Sequence, residues 1–375
     1  MIEPIRRPVR VGIIGAGNVL WAYLQALDRL IPRGEALLGP VCARRRERWP
    51  EIEDRRPGIR LVESSEEVAE ADVDVVVILT APDSHAALTR LCLEHGKHVV
   101  AEKPLAATRA EAEPLAELAD KRGLHLLAAP FVQLAPTFRF LWGLVRGGAI
   151  GTPHSARALY GNAGSTWASW YHDGSVGPLA EVGIYNLKSL TALLGPVSEV
   201  LAAETTAVKV RNAGGLEIRS PGHDVSHIIL RHESGALSSV ASSHAIQRYR
   251  RPGLEIYGTE GTANLLGDDW DPRGVEVWRN ETNRWEEYEP VDPTWLWTDG
   301  VRELVASLRD GRPPIAAIDH DLHLLEILGA AGKAARAGAA TAVRSRFAPL
   351  DLKPEELWTG ERHQLHDHTR PPDEQ

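Results

Sequence analysis

A β-branched run, Val9 to Ile14, ends at Gly15-Ala16-Gly17-Asn18-Val19-Leu20, and an amphipathic stretch from Trp21 to Leu30 follows. No other feature constrains the fold as much. Strand, glycine turn and helix in that order are what a dinucleotide-binding loop requires. Gly15 permits the tight turn, and Gly17 lets the backbone approach a pyrophosphate whose charge rests on the helix N-terminus near Asn18 and Val19. The third position of the G-x-G-x-x-G pattern is Leu20, which implies looser packing of helix on strand. A lone glycine turn decides little, because such turns also join strands to helices without a ligand.

The segments that follow repeat the same alternation. A second strand, Leu37 to Cys42, ends at Ala43, where a site that prefers NAD carries an acid for the ribose hydroxyls. Arg44-Arg45-Arg46-Glu47-Arg48 comes next. Arg44 suits the 2′-phosphate of NADP through planar bidentate pairing; Arg45 and Arg46 read as a solvated helix start. Asp74 to Leu79 is apolar after its first residue, as a strand buried on both faces is. It runs into Thr80-Ala81-Pro82-Asp83-Ser84-His85 and a helix to about His95, which Gly96 closes. Lys97 to Ala101 is another strand, ending in Glu102-Lys103-Pro104-Leu105. A helix (Ala110 to Arg122) and a strand (Leu124 to Ala128) complete a doubly wound parallel sheet. Ligands of such sheets bind beyond the carboxyl ends of the strands, where Thr80, Pro82, His85, Glu102 and Lys103 fall.

A chain of 375 residues has room for two domains. The division expected is 1–128 for the Rossmann domain, 129–347 for a substrate-binding and oligomerisation domain, and 348–375 for a polar tail. Within 129–347, strand-like runs stand at Ser155–Tyr160, Val197–Ala203, Val225–Arg231, Ala236–Ser243 and Gly253–Tyr257. Helices are expected at Leu187–Leu194, Thr298–Arg309 and His320–Arg336. The pattern predicts an α+β domain with a large open, mostly antiparallel sheet and helices on one face. A formal charge of -9 speaks against nucleic acid. No apolar run approaches the roughly 18–20 residues of a membrane span. Cys42 and Cys92 have neither metal-site nor disulfide-framework spacing and read as small buried hydrophobes, which suits the cytoplasm. His223 and His227 lack an adjacent third ligand, and His363, His366 and His368 lie in the polar tail, so no metal is expected.

A further segment, Gly177-Pro178-Leu179-Ala180-Glu181-Val182-Gly183-Ile184-Tyr185-Asn186, joins Gly15-Ala16-Gly17, the Thr80 to His85 run and Glu102-Lys103-Pro104. Leu254 to Thr262 and Asp310-Gly311-Arg312 add two more. In this order and spacing the set resembles the glucose-fructose oxidoreductase/inositol dehydrogenase/rhizopine catabolism family, Gfo/Idh/MocA, over roughly residues 9 to 347. The resemblance implies an NAD(P)-dependent enzyme working as a homodimer or homotetramer, with Lys103 beside nicotinamide and substrate. Tyr185 stands where many members have histidine and others tyrosine. A tyrosine near a cationic lysine can give and take a proton. The family aspartate is Glu181 here, one methylene longer. Gln133 stands where many members have arginine, and Lys188 replaces a family aspartate or asparagine.

Three further residues are candidates for substrate. Lys188, three residues after Tyr185, either binds an anionic group or forms a salt bridge. Tyr171 and His172, in the aromatic run Trp167 to Asp173, suit a sugar-like ring, whereas Trp167 reads as a buried anchor. The expected reaction is hydride transfer between NADP(H), with NAD an alternative, and a hydroxyl or carbonyl of a sugar, cyclitol or related cyclic polyol. Two other readings stay open: a redox-neutral glycosidase-like enzyme holding NAD, and a regulatory protein that keeps the cofactor fold without catalysis.

Overall fold

The computed structural model describes residues 3–354 except 167–169, 173–175, 214, 220–221, 251–252 and 293. The expected aromatic anchor Trp167, and the tail histidines 363, 366 and 368, lie outside the described residues.

The chain divides into two compact units. The first comprises Met1–Leu134 and Leu296–Glu326. Its elements are β1 (Val9–Ile14), α1 (Leu20–Leu30), β2 (Ala36–Cys42), α2 (Trp49–Arg55), β3 (Leu61–Val62), α3 (Ser65–Glu70), β4 (Val75–Ile78), α4 (His85–Glu94), β5 (His98–Ala101), α5 (Arg109–Lys121) and β6 (Leu126–Ala128). The strands form a parallel sheet in the order β3-β2-β1-β4-β5-β6, with the reversal of direction falling beside β1. β4 and β5 are buried at every position, as the apolar runs require. Ser64 caps α3, accepting from Glu67 N–H while the Glu67 carboxylate accepts from Ser64 N–H, a capping box that starts the helix directly after β3.

The second unit comprises Ala135–Trp295 and the chain from Ile327 onward. It contains α6 (Pro136–Arg146), β7 (Pro153–Gly161), α7 (Ile184–Leu194), β8 (Val197–Thr205), β9 (Val210–Ala213), β10 (Leu216–Arg219), β11 (Val225–His232), β12 (Leu237–Ser243), β13 (Leu254–Gly258), β14 (Gly261–Asp268), β15 (Asp271–Arg279) and β16 (Arg284–Tyr288). A nine-stranded sheet runs β16-β15-β14-β13-β7-β12-β11-β8-β17, with β17 at Thr341–Ala342; only β7 and β12 pair in parallel. On β11 side chains alternate between the face packed in the core and an open face, and β8 and β12 follow the same alternation over most of their length. This is the mostly antiparallel sheet the patterning predicts.

The sequence reading places 129–347 in one continuous second domain; the structure interrupts it. Helix α8 (Gly300–Asp310) packs in the core of the first unit. Its stripe Val301, Leu304, Val305 and Leu308 is 0–1% exposed and shares that core with Val9, Leu20 and Tyr23. Trp297 meets the Tyr23 ring edge-on at 5.9 Å, and Gly300 lies so close to Phe131 that a Cβ would come within 2.3 Å of the ring. An apolar stripe at helical spacing requires a core but does not name one. The division between the units recurs inside α9 (Ile318–Ala337).

Candidate functional site

The candidate residues fall into two groups, one in each unit. In the first, Gly15 has φ 109°, and a Cβ there would stand 2.8 Å from the carbonyl carbon of Leu79, so no other residue fits. Its N–H donates to Cys42 O at 3.1 Å, tying the turn to the end of β2. A Cβ on Gly17, by contrast, would meet nothing within 4 Å. Open space lies where a pyrophosphate would approach. Asn18 is exposed beside it. α1 starts from Val19 without a side-chain cap and without an acidic residue in its first turn. Leu20 and Ala22 N–H already donate to Gly17 O and Val19 O, so what this helix start offers an anion is chiefly the positive end of its dipole. The chain here fits a dinucleotide. Leu20, at the third position of the glycine pattern, is fully buried in the core.

Arg44 is exposed just past β2, where the fingerprint puts the ribose-recognising residue. Of the other arginines in the run, Arg46 pairs with Glu63, and Arg48 donates from Nη1 to Ala16 O at 3.0 Å. Arg48 thus clips the glycine loop from outside. The sequence reading gave it no role, for a run of arginines offers no signal as to which one turns inward.

The ends of β4 and β5 are joined by side-chain brackets. His85, 1% exposed, has Nδ1 2.7 Å from Pro104 O and Nε2 2.9 Å from Thr80 O. Both ring nitrogens thus face backbone oxygens of the two strand-end loops, and His85 bridges them. Ser84 Oγ lies 2.7 Å from Thr80 Oγ1, and Pro82 opens the short turn before α4. Glu102, 7% exposed, accepts from Tyr23 Oη at 2.8 Å and from Lys103 N–H at 3.1 Å. One carboxylate thereby ties α1, which carries the glycine turn, to the backbone of the lysine. Tyr23 escapes sequence reasoning because it reads as one more apolar position of α1. Gln133 is completely buried, and neither its amide nitrogen nor its oxygen has a protein partner. A buried amide in that state costs a few kcal/mol unless water or a ligand meets it.

In the second unit the Gly177 to Asn186 segment is helical further forward than Leu187. A π-helical turn spans Leu179–Gly183 and runs into α7. Glu181 lies in the π turn and Tyr185 in the first turn of α7, both half-buried. Gly183 passes so close to Ser242 that a Cβ would stand 2.1 Å from its hydroxyl. Such one-turn π segments occur often at functional sites. The Tyr185 ring meets Tyr160 edge-on at 5.9 Å. Burial pushes the Tyr160 phenol far up, so it stays neutral. Lys188 is fully buried, so it is not a solvated surface lysine. Asn186 and Ser189 both donate to Asp269.

Tyr171 and His172 are buried, and they pack with His244, whose ring lies 4.3 Å from that of Tyr171. Asn162 Nδ2 reaches the Tyr171 hydroxyl at 3.5 Å. Burial holds the His172 ring pKa below its usual value, and its Nε2 lies 2.9 Å from Ser165 O. The neutral ring donates that hydrogen bond. His223 meets Glu204 at 3.2 Å, while His227 is exposed. The chemistry on offer is an anion cradle and a lysine just past the end of β5 in one unit, and a carboxylate and a phenol along one helix start in the other.

These features define a two-unit dehydrogenase with a dinucleotide-binding Rossmann unit. Residues 9–129 match the oxidoreductase family, NAD-binding Rossmann fold, and residues 138–264 match the GFO/IDH/MocA C-terminal domain. The chain belongs to the GFO/IDH/MocA family of oxidoreductases. It is 28% identical over 276 residues to trans-1,2-dihydrobenzene-1,2-diol dehydrogenase of Bos taurus, covering 72% of this chain and 77% of that one. It is 23% identical over 335 residues to myo-inositol 2-dehydrogenase of Thermotoga maritima, covering 87% and 95%. The fold matches levoglucosan dehydrogenase in complex with NADH, with TM-score 0.81, 19% identity and coverage of 90% and 100%. Among the described residues no helix is long and apolar enough to cross a membrane.

Proposed function

We propose that this oxidoreductase transfers a hydride between NADP(H), with NAD as the weaker alternative, and a CH–OH or carbonyl group of a sugar, cyclitol or related cyclic polyol. The bracket Tyr23–Glu102–Lys103 carries the reading, because it fixes the lysine relative to the helix that receives the pyrophosphate. Bound nicotinamide supplies the hydride acceptor or donor. Gly15, Gly17, Asn18 and Val19 hold the pyrophosphate, Thr80 and Pro82 line the strand end, and His85 keeps that loop in place. Arg44 pairs with the 2′-phosphate, which is the ground for preferring NADP.

Tyr185 takes the hydroxyl proton in oxidation and returns it in reduction, and Glu181 orients it. The Lys103 ammonium stabilises charge on the reacting oxygen. Gln133, Tyr171, His172 and Lys188 contact substrate; the unpartnered Gln133 amide supports this, since a substrate hydroxyl would satisfy it. We infer a homodimer or homotetramer formed through the open sheet face. There Leu201, Ile229 and Leu237 lie on neighbouring strands, 42–49% exposed, and such a patch calls for cover. Two buried free thiols suit a reducing cytoplasm.

The test is reduced-nicotinamide absorbance with NADP⁺ and NAD⁺ against aldoses, cyclitols, polyols and dihydrodiols. Turnover with NADP⁺ that Lys103→Ala and Tyr185→Phe both abolish supports the reading. Tight cofactor binding without net turnover of any of them would replace it by the redox-neutral enzyme or the non-catalytic protein.

A further inference from the structure

A two-residue turn, Asp269-Trp270, joins β14 to β15, with Asp268 paired to Asp271 at its base. Turn tips ordinarily lie in water, and an aspartate there is ordinarily solvated. Asp269 is 1% exposed. Its Oδ1 accepts from Asn186 Nδ2 at 3.1 Å and its Oδ2 from Ser189 Oγ at 2.5 Å. Beside it, Asp268 accepts from the Tyr249 hydroxyl at 2.5 Å. Burial lifts the Asp269 carboxyl to about 6, against the opposing effect of its two donors. A hairpin tip held in this way is an anchor and not a loose turn.

What it anchors is one face of α7. Asn186 directly follows Tyr185, and Ser189 lies three residues beyond Asn186, hence on the same side of the helix. The preceding turn is π-helical. A π turn holds one residue more than an α turn, which rotates everything after it by about 100° relative to an unbroken helix. The direction of Tyr185 is therefore not set by the helical geometry of the stretch that carries Glu181. A contact on α7 itself has to set it.

We propose that Asp269 is a positioning residue for Tyr185: from the tip of the β14–β15 hairpin it grips Asn186 and Ser189 and so fixes the rotation of α7 that aims the phenol. This rests on Tyr185 being the proton-transfer group. Nothing in the family motifs points to Asp269, which lies about eighty residues from the helix it holds.

A double-mutant cycle on the full chain tests it, with kcat, KM, cofactor Kd from nicotinamide fluorescence, and Tm measured for each protein. Asp269→Ala is expected to lower kcat by about 10- to 100-fold, the cost of a misaligned catalytic group, while cofactor Kd stays within about twofold. Asp269→Asn keeps an acceptor for Asn186 and a partner for Ser189, and should restore kcat to within about threefold. Ser189→Ala should fall between the two. In the Tyr185→Phe background, followed at high enzyme concentration, Asp269→Ala should have no further effect, because the group it positions is gone. Unchanged kcat in Asp269→Ala, or an equal loss with and without the Tyr185 hydroxyl, would overturn the proposal while leaving Tyr185 in its role. Full activity of Tyr185→Phe would instead remove the role on which it rests. If Asp269→Ala does not fold, Ser189→Ala completes the same cycle.

Discussion

The two groups of site residues are built on opposite plans. In the first unit the functional positions are ends of buried parallel strands, held mostly by brackets within one strand-turn-helix repeat, Gly15 to Cys42, His85 between Thr80 and Pro104, and Glu102 to its neighbour Lys103, with Tyr23 to Glu102 as a long-range tie. In the second unit the start of α7, which carries Tyr185, is held by a hairpin far along the chain, through Asn186, Ser189 and Asp269. Local scaffolding leaves a local signature. Distant scaffolding leaves none.

The contrast can be broken or sharpened by measurement. The largest effect belongs to the reacting groups. Lys103→Ala and Tyr185→Phe should each lower kcat by about 10²–10⁴-fold in steady-state assays. Unequal losses would show that one of the two units dominates the proton chemistry. Next comes acid. Burial holds the imidazoles of His98 and His232 down to about 4, His98 also accepting from His125 N–H at 2.9 Å. Their folded pKa lies below the unfolded value near 6.5, so the unfolded chain binds more protons between those limits. Stability is therefore full above about pH 6.5 and is lost as pH falls toward 4, by about 2–3 kcal/mol for each ring.

Asp269 has the opposite sign. Its folded pKa of about 6 lies above the ordinary aspartate value of 3.8, so its contribution is present at low pH and is lost as pH rises through that window. Asp269→Asn should therefore raise Tm at pH 8 and leave it nearly unchanged at pH 4, by calorimetry. No gain at pH 8 would mean that the charge itself supports the second unit.

A smaller effect is expected of Tyr23→Phe. It leaves one oxygen of the buried Glu102 without its donor, costing about 1.5–3 kcal/mol of stability by denaturant titration. It should also reduce kcat more than cofactor affinity if the bracket positions Lys103. The smallest is Arg44→Ala, which should narrow the preference for NADP⁺ over NAD⁺ by about tenfold in kcat/KM. An unchanged ratio would move the 2′-phosphate contact elsewhere in the arginine run.

Much of the first unit was legible because parallel strands buried on both faces read as unbroken apolar runs, and because glycine turns have narrow steric demands. The same reading could not assign α8 to its core, since the stripe Val301, Leu304, Val305 and Leu308 suits any apolar surface. It starts α7 too late, at Leu187, because Gly177, Pro178 and Gly183 look like loop punctuation whereas the π turn accommodates Gly183 against Ser242. Thr80, His85, Glu102 and Lys103 were recognisable from motif position. That His85 serves backbone oxygens follows only from tertiary geometry, as do Tyr23, Arg48 and Asp269. Hydrogen-bond partners distant in sequence have no periodicity to betray them.

The chain order of the first unit bears on how the protein is made. Ribosomes deliver the N-terminus first, and a continuous Rossmann unit would close as soon as its sheet emerged. Here α8 comes from beyond nearly all of the second unit. Until it is synthesised, the surface around Leu20, Tyr23 and Leu27 has no lid. The nascent cofactor unit must therefore wait, sticky and incomplete, while the other unit is translated. A fragment cut after Leu134 would inherit that unfinished state permanently.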